Sequence, residues 1–226
     1  MIRVLCALAL LAASQQPSGP SPRRPAAAPA RAPLAAPTPA RPPAPPGLSW
    51  EDADQVSQTL ARIERRLRTG RPAAEQPLVV TERQLNSYLN LALATALPPG
   101  ISGLELRISQ DRLGAHALVD LDRVKGKLPP GATGGLLALL GGTLPVELSG
   151  RLAATNGTGR IDVDQASVGG VSLPASLVAQ IVSLSTRSAK QPRGFDIAAP
   201  FALPWTAREV RLEPGRALVS FYPKQP

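Results

Sequence analysis

From Leu104 onward the chain alternates apolar and polar residues one for one, in run after run. Leu104, Leu106 and Ile108 alternate with Glu105, Arg107 and Ser109. Ala115, Ala117, Val119 and Leu121 alternate with His116, Leu118, Asp120 and Asp122. Val146, Leu148, Gly150, Leu152 and Ala154 repeat the pattern, and Ile161 and Val163 return after Asn156-Gly157. Val210 and Leu212 face Ala217, Val219 and Phe221 across Glu213-Pro214-Gly215-Arg216. Successive strand residues point to opposite faces, so each run has one apolar and one polar side. That restricts this part of the chain to antiparallel sheet with one packed face and one wet face. Asn-Gly and Pro-Gly are tight-turn dipeptides and set two of the hairpins.

Around these runs the period changes to that of a helix. Ser49, with Asp52 three residues on, starts a helix whose stripe is Val56, Leu60, Ile63 and Leu67. Arg62, Arg65, Arg66 and Arg68 occupy its other side, and Gly70 and Pro72 end it. Such a basic helix either lies on an anionic membrane or packs its stripe on its own domain. After the short strand Leu78-Val79-Val80, Thr81 and Gln84 cap a second helix. Its apolar face is Leu85, Tyr88, Leu89, Ala92, Leu93 and Ala96, and Leu97-Pro98-Pro99-Gly100 stops it. A third helix begins at Pro174 and faces inward through Leu177, Val178, Ile181 and Leu184. The pattern predicts an α+β fold: a curved antiparallel sheet of about six strands, packed on or wrapped around helices.

The first 48 residues belong to no core. Residues 1–14 read as a cleaved signal peptide, with Arg3, an apolar run from Val4 to Ala12 and a small-residue site. This implies a secreted or periplasmic protein. Cys6 lies inside that run, so the mature chain has no thiol and no disulfide. Residues 15–48 form a Pro/Ala-rich disordered linker; twelve of the 31 residues from Pro17 to Gly47 are proline, which favours extended polyproline-like chain. Residues 49–226 are then a single α+β domain, long enough for a sizeable core. The formal charge is +9, but Arg3, Arg23, Arg24, Arg31 and Arg41 all precede Leu48 and no acid does. Five of the nine net charges therefore precede the domain, four of them in the linker. The linker serves as a solubilising spacer or as a tether lying along an anionic surface.

Candidate chemistry is sparse. His116 is the only histidine, lies on a polar strand face and has no nucleophile nearby in sequence. A single imidazole excludes a histidine-built zinc site. Asp120 with Asp122, and Asp162 with Asp164, are pairs two apart on strands that could converge on a calcium ion. Their alternation with apolar residues places them on the wet face instead. Seven aromatics, mostly apart from the charges, do not make a nucleic-acid surface. No cofactor motif is present, since Gly157-Thr158-Gly159 fits a turn. The reading is non-enzymatic. One segment stands out: Leu136, Leu137, Leu139 and Leu140 lie between glycine pairs, after Lys125 and Lys127. It is either a short helix capping the core or a mobile loop that meets anionic headgroups.

Three stretches carry a resemblance. Val80-Thr81-Glu82-Arg83-Gln84-Leu85-Asn86-Ser87-Tyr88-Leu89 is similar to the Thr-Glu-x-x-Leu-Asn-x-x-Leu start of bacterial envelope lipid-binding proteins of the TULIP-like kind, including mycobacterial LmeA-like and YceB-like lipoproteins. Val168 to Leu177 resembles their strand-to-helix joint, and Leu203-Pro204 to Pro214-Gly215-Arg216 their closing hairpin. The resemblance implies a long curved sheet wrapped on a helix, an apolar groove for acyl chains and no catalytic residues. The inward positions that could line such a groove are Leu85, Tyr88, Leu89, Leu106, Ile108, Val119 and Leu121. Leu148, Leu152, Leu177, Ile181, Val210 and Leu212 complete the set. A plain core needs the same residues. Two functions follow: binding of a lipid or other amphiphile in that groove, or an envelope scaffold or protein-interaction module with a solid core.

Overall fold

The computed structural model describes residues 41–97, 100–125, 141–185 and 192–223. Helix α1 (Trp50–Arg68) buries Ala53, Val56, Leu60 and Ile63 along one stripe. Ser49 caps it: its Oγ accepts from the Asp52 N–H at 3.3 Å. Ser87 Oγ accepts the Ser49 N–H at 3.0 Å, so the start of α1 is tied to the next helix. The buried Asp52 carboxylate, 3.0 Å from Arg83 Nε, makes a second tie between them.

Strand β1 (Leu78–Thr81) runs into α2 (Glu82–Ser87). Thr81 Oγ1 accepts the Gln84 N–H at 3.2 Å, and Gln84 Oε1 accepts the Thr81 N–H at 2.9 Å. This is the reciprocal box that the sequence predicts. The helix does not continue unbroken to Ala96. A π turn follows (Tyr88–Ala92), then a 3₁₀ turn (Ala94–Ala96).

The break follows from the sheet beside it. Strands β2 (Ile101–Ser109), β3 (Arg112–Asp120), β4 (Thr143–Thr155), β5 (Thr158–Val168) and β6 (Val171–Ser172) form an antiparallel sheet in that order, with β7 (Phe201–Ala202) also on β5. The fold is thus α+β with a six-stranded antiparallel sheet. Strand β2 is its edge, where backbone groups lack a neighbour. Side chains of the helical segment supply one. Glu82 Oε2 accepts the Ile108 N–H at 2.6 Å. Asn86 accepts the Leu106 N–H at 2.7 Å and donates to the Leu106 carbonyl at 2.9 Å. Asn90 donates to the Leu104 carbonyl at 2.6 Å. Four helical residues rise about 6 Å, close to the roughly 6.7 Å of two strand residues. Four residues also overshoot an α turn by about 40°. The wider π turn takes up that excess and keeps Asn90 over the strand.

Three further differences from the sequence pattern have local causes. Leu121 does not extend β3; it begins a one-turn helix α3 (Leu121–Lys125), because Asp120 Oδ1 accepts the Asp122 and Arg123 N–H groups and turns the chain. The closing hairpin, β8 (Ala207–Glu213) and β9 (Arg216–Phe221), does not join the main sheet; with β1 it forms a separate three-stranded sheet, β1-β9-β8. In β5 the inward set shifts phase: Val163 lies opposite Gly150, but Gln165 opposite Ser149. Asp164 is the extra residue of a bulge. A side chain on Gly150 would meet the Asp162 carbonyl at 2.6 Å, so only glycine fits there. After the bulge Ala166 and Val168 face inward in place of odd-numbered residues.

Asn156 and Gly157 have φ of 52° and 76°, as the primed hairpin turn between β4 and β5 requires. Helix α4 (Ala175–Ser185) crosses the apolar side of β5. Asn86→Ala leaves the Leu106 N–H and C=O unpaired. It is expected to lower stability by about 2–4 kcal/mol in urea denaturation. Asn86→Asp, which keeps the acceptor, is expected to lose less.

Candidate functional site

The inward face of the main sheet is apolar across its strands but unevenly covered. Under β2 and β3, Leu104, Leu106, Ala115 and Ala117 pack with Val56, Leu60, Tyr88 and Leu89 in one closed cluster, and Leu89 has no exposed surface. Ile108 packs with Leu212, Ala217, Leu85, Leu152 and Val210, joining the two sheets. Val119 and Leu121 join Val168, Leu144 and Val146 at the other end. Leu148 belongs to a fourth cluster, centred on Val178 and Val182 of α4 and on Ile197. The groove-lining residues that the sequence suggests are therefore shared among four clusters and do not ring one cavity. Leu177 is half-buried on α4, and Ile181 is a residue of α4 whose side chain lies outside the described residues. Leu136, Leu137, Leu139, Leu140 and Lys127 also lie outside them, while Lys125 ends α3.

Cover is thinnest over β4 and β5. Leu144, Val146, Leu148, Leu152, Ile161 and Val163 all point to the apolar face yet remain half-buried. A narrow slot of about 30 Å³ runs there, lined by Leu113, Leu148, Leu152, Ile161, Val163 and Ile197. Helix α4 packs on Leu148, Ile161 and Val163 of the same face, and a local latch ties it to the segment that carries Ile197. Ser183 Oγ donates to the Arg193 carbonyl at 2.7 Å. Gly194, at φ 72°, lies so close that an added Cβ would fall 1.8 Å from the Ser183 carbonyl oxygen.

The polar face holds a wider concavity, a trough of about 860 Å³. Its floor is a row set by strand register. Glu105 pairs with His116, His116 with Glu147, Glu147 with Ser167, and Ser167 with Ser172. The sequence suggests an isolated histidine; the fold sets it between two carboxylate-bearing residues. The residue pattern suggests a turn around Asp111 to Gly114; the structure turns at Gln110-Asp111, and that register sets Glu105 opposite His116. The β4 half of the row was not legible in the sequence, because a long connection separates β3 from β4.

The carboxylates of this face are largely matched by arginines: Glu105 with Arg107 at 3.0 Å, and Asp164 with Arg112 at 3.2 Å. Asp162 pairs with Arg160 at 2.9 Å and Asp120 with Arg123 at 3.1 Å. Asp122 accepts the Gly142 N–H. The four aspartates considered for calcium are thus dispersed. Among the described residues no three His, Cys, Asp or Glu side chains converge as metal ligands. The trough is large, but it is an open, ion-paired, solvated sheet face.

No family model matches the chain, and no curated protein or solved structure does either.

Among the described residues, the titratable group whose proton is clearly displaced is Tyr88. Burial, reinforced by the Glu64 carboxylate, raises its phenol above the ordinary value near 10. Below pH 10 the phenol is neutral folded and unfolded, so its contribution to stability is fully present. Above pH 10 the unfolded phenol ionises first, and stability falls as pH rises through the folded value. Equilibrium denaturation between pH 9 and 12 is expected to show this decline, and Tyr88→Phe to remove that component.

Proposed function

We propose that this protein is a non-enzymatic binding protein of the cell envelope, secreted or periplasmic, that takes up a lipid or other amphiphile between β4–β5 and α4. One observation carries the reading: a continuous apolar sheet face is closed tightly under β2–β3 but only half-covered over β4–β5. Half-buried aliphatic residues in a row are surface that an acyl chain can complete, at about 25 cal/mol per Å² removed from water. The existing slot is far below the roughly 300 Å³ of small-molecule pockets, so entry requires α4 to lift. The Ser183–Arg193 hydrogen bond and the close approach at Gly194 are among the contacts that must yield, with the packing of Val178 and Val182. The resemblance of the Thr81–Leu89 segment to envelope lipid-binding proteins points the same way.

An interaction module with a solid core is the second reading, and the closed cluster around Leu89 favours it. Native mass spectrometry of the gently purified full chain separates the two. Under the first reading it shows a co-purified amphiphile, and uptake of a fluorescent fatty acid falls several-fold in Leu148→Gln. Gly194→Ala, which forces the latch apart, is expected to speed uptake. Ligand-free protein that also fails to take up the fluorescent fatty acid overturns the first reading.

A further inference from the structure

Two of the sheet edges among the described strands, those of β2 and β1, are treated differently. That of β2 is paired with side chains from Glu82, Asn86 and Asn90. That of β1 is not. Strand β1 is the outer strand of the small sheet, antiparallel to β9, with Thr81 opposite Arg216 and Val79 opposite Leu218. The Thr81 N–H points away from β9, because Gln84 takes it. Backbone direction repeats every second residue, so Val79 also turns its N–H and C=O away from β9. Among the described residues nothing outside the sheet bonds to them, and the Val79 side chain is 46% exposed.

Facing this edge is a groove of about 220 Å³, with α1 as its opposite wall. Val56 and Leu60 of α1 give it an apolar floor. Gln84 donates to Gln55 at 3.0 Å and closes the end nearest Thr81. Arg62 lies at the other end, exposed, and no carboxylate pairs with it among the described residues. From Gln55 to Arg62 a helix rises about 10 Å, the length of roughly three extended residues.

We propose that this groove docks an extended peptide that adds to the β1 edge through Val79 and sets a carboxylate on Arg62. Backbone complementarity selects the occupant's conformation, since an unpaired strand edge is matched by another strand. Charge complementarity at Arg62 selects its carboxylate. The chain's own proline-rich segment lacks too many N–H donors to extend the ladder. A second copy's β1 is itself flanked by α1 and does not fit into so narrow a slot.

The test is fluorescence anisotropy on the full chain with a fluorescein-labelled Ser-Thr-Val-Thr-Val peptide, once with a free C-terminal carboxylate and once amidated. Both are expected to bind, the free acid more tightly. Arg62→Gln should weaken the free acid by roughly fivefold and leave the amide unchanged. Val79→Pro removes only an outward N–H, which an edge strand tolerates, and should weaken both peptides roughly tenfold. Thr59→Phe fills the groove from α1 without touching the edge, and should block both as well. No saturable binding, or binding unchanged in Val79→Pro and Thr59→Phe with melting curves intact, overturns the proposal. Self-association of the wild type that Val79→Pro abolishes also overturns it, because the edge then belongs to a second copy.

Discussion

An edge strand paired by side chains instead of by a strand organises this molecule. Glu82, Asn86 and Asn90 lie four apart in sequence and meet backbone groups of Ile108, Leu106 and Leu104, two apart on β2. The match fixes where the helical segment sits, which face it turns inward and why it widens into a π turn. Tyr88 and Leu89 then fall on the sheet and are buried. Helix α1 follows, because Ser87 and Arg83 hold its first turn through Ser49 and Asp52. Each of these bonds to a half-buried backbone group is worth about 1 kcal/mol when made and more when broken. Their larger effect is positional, since they bring α1 and the start of α2 onto the main sheet together.

The opposite end of the same sheet lacks such a device. Helix α4 covers β4–β5 mainly through Val178 and Val182, with Ile197 from the following segment. A hydroxyl-to-carbonyl hydrogen bond, Ser183 to Arg193, ties it to that segment. The bulge at Asp164 adds to the difference. It turns Ala166 and Val168 inward, but it also interrupts the ladder at Gly150, where no side chain fills the face. A tightly covered half and a half-covered one are thus built on one continuous sheet, and local opening in proteins favours regions with fewer buried contacts.

Much of this was legible in the sequence. Period-two alternation located β2 to β5 and β8–β9, and helical spacing located α1, α2 and α4. The Thr81/Gln84 box and the Asn156-Gly157 turn stand as the residue types require, because these are local choices made by a few neighbouring side chains. Non-local pairing was not legible. Nothing in Leu78-Val79-Val80 says that it pairs with β9 and not with the main sheet. Alternation also does not reveal a bulge, so the phase shift at Asp164 hid Ala166 and Val168. The role of Glu82, Asn86 and Asn90 was not legible either, because their partners are backbone groups of β2, a strand that follows the helical segment. For the candidate site, the apolar residues were visible as a set. Which of them are sealed in and which stay half-open depends on helix placement, which residue pattern does not encode.

Helix α1 connects these features to the segment before it. Arg41 lies 4.8 Å over the Trp50 ring and 2.6 Å from the Asp54 carboxylate, while Trp50 Nε1 donates to the Pro42 carbonyl at 2.8 Å. Arg41 and Pro42 are therefore held against the first turn of α1. An exposed ion pair and a surface cation–π contact are each worth about 1 kcal/mol or less. The groove beside β1 lies farther along α1, with Arg62 two turns downstream of Asp54. The slot beside α4 is lined by residues of β3, β4 and β5 with Ile197, and of these Ala115 also belongs to the cluster that holds Val56 and Leu60 of α1. The groove and the slot are therefore joined through one patch of core, where α1 and the main sheet pack together.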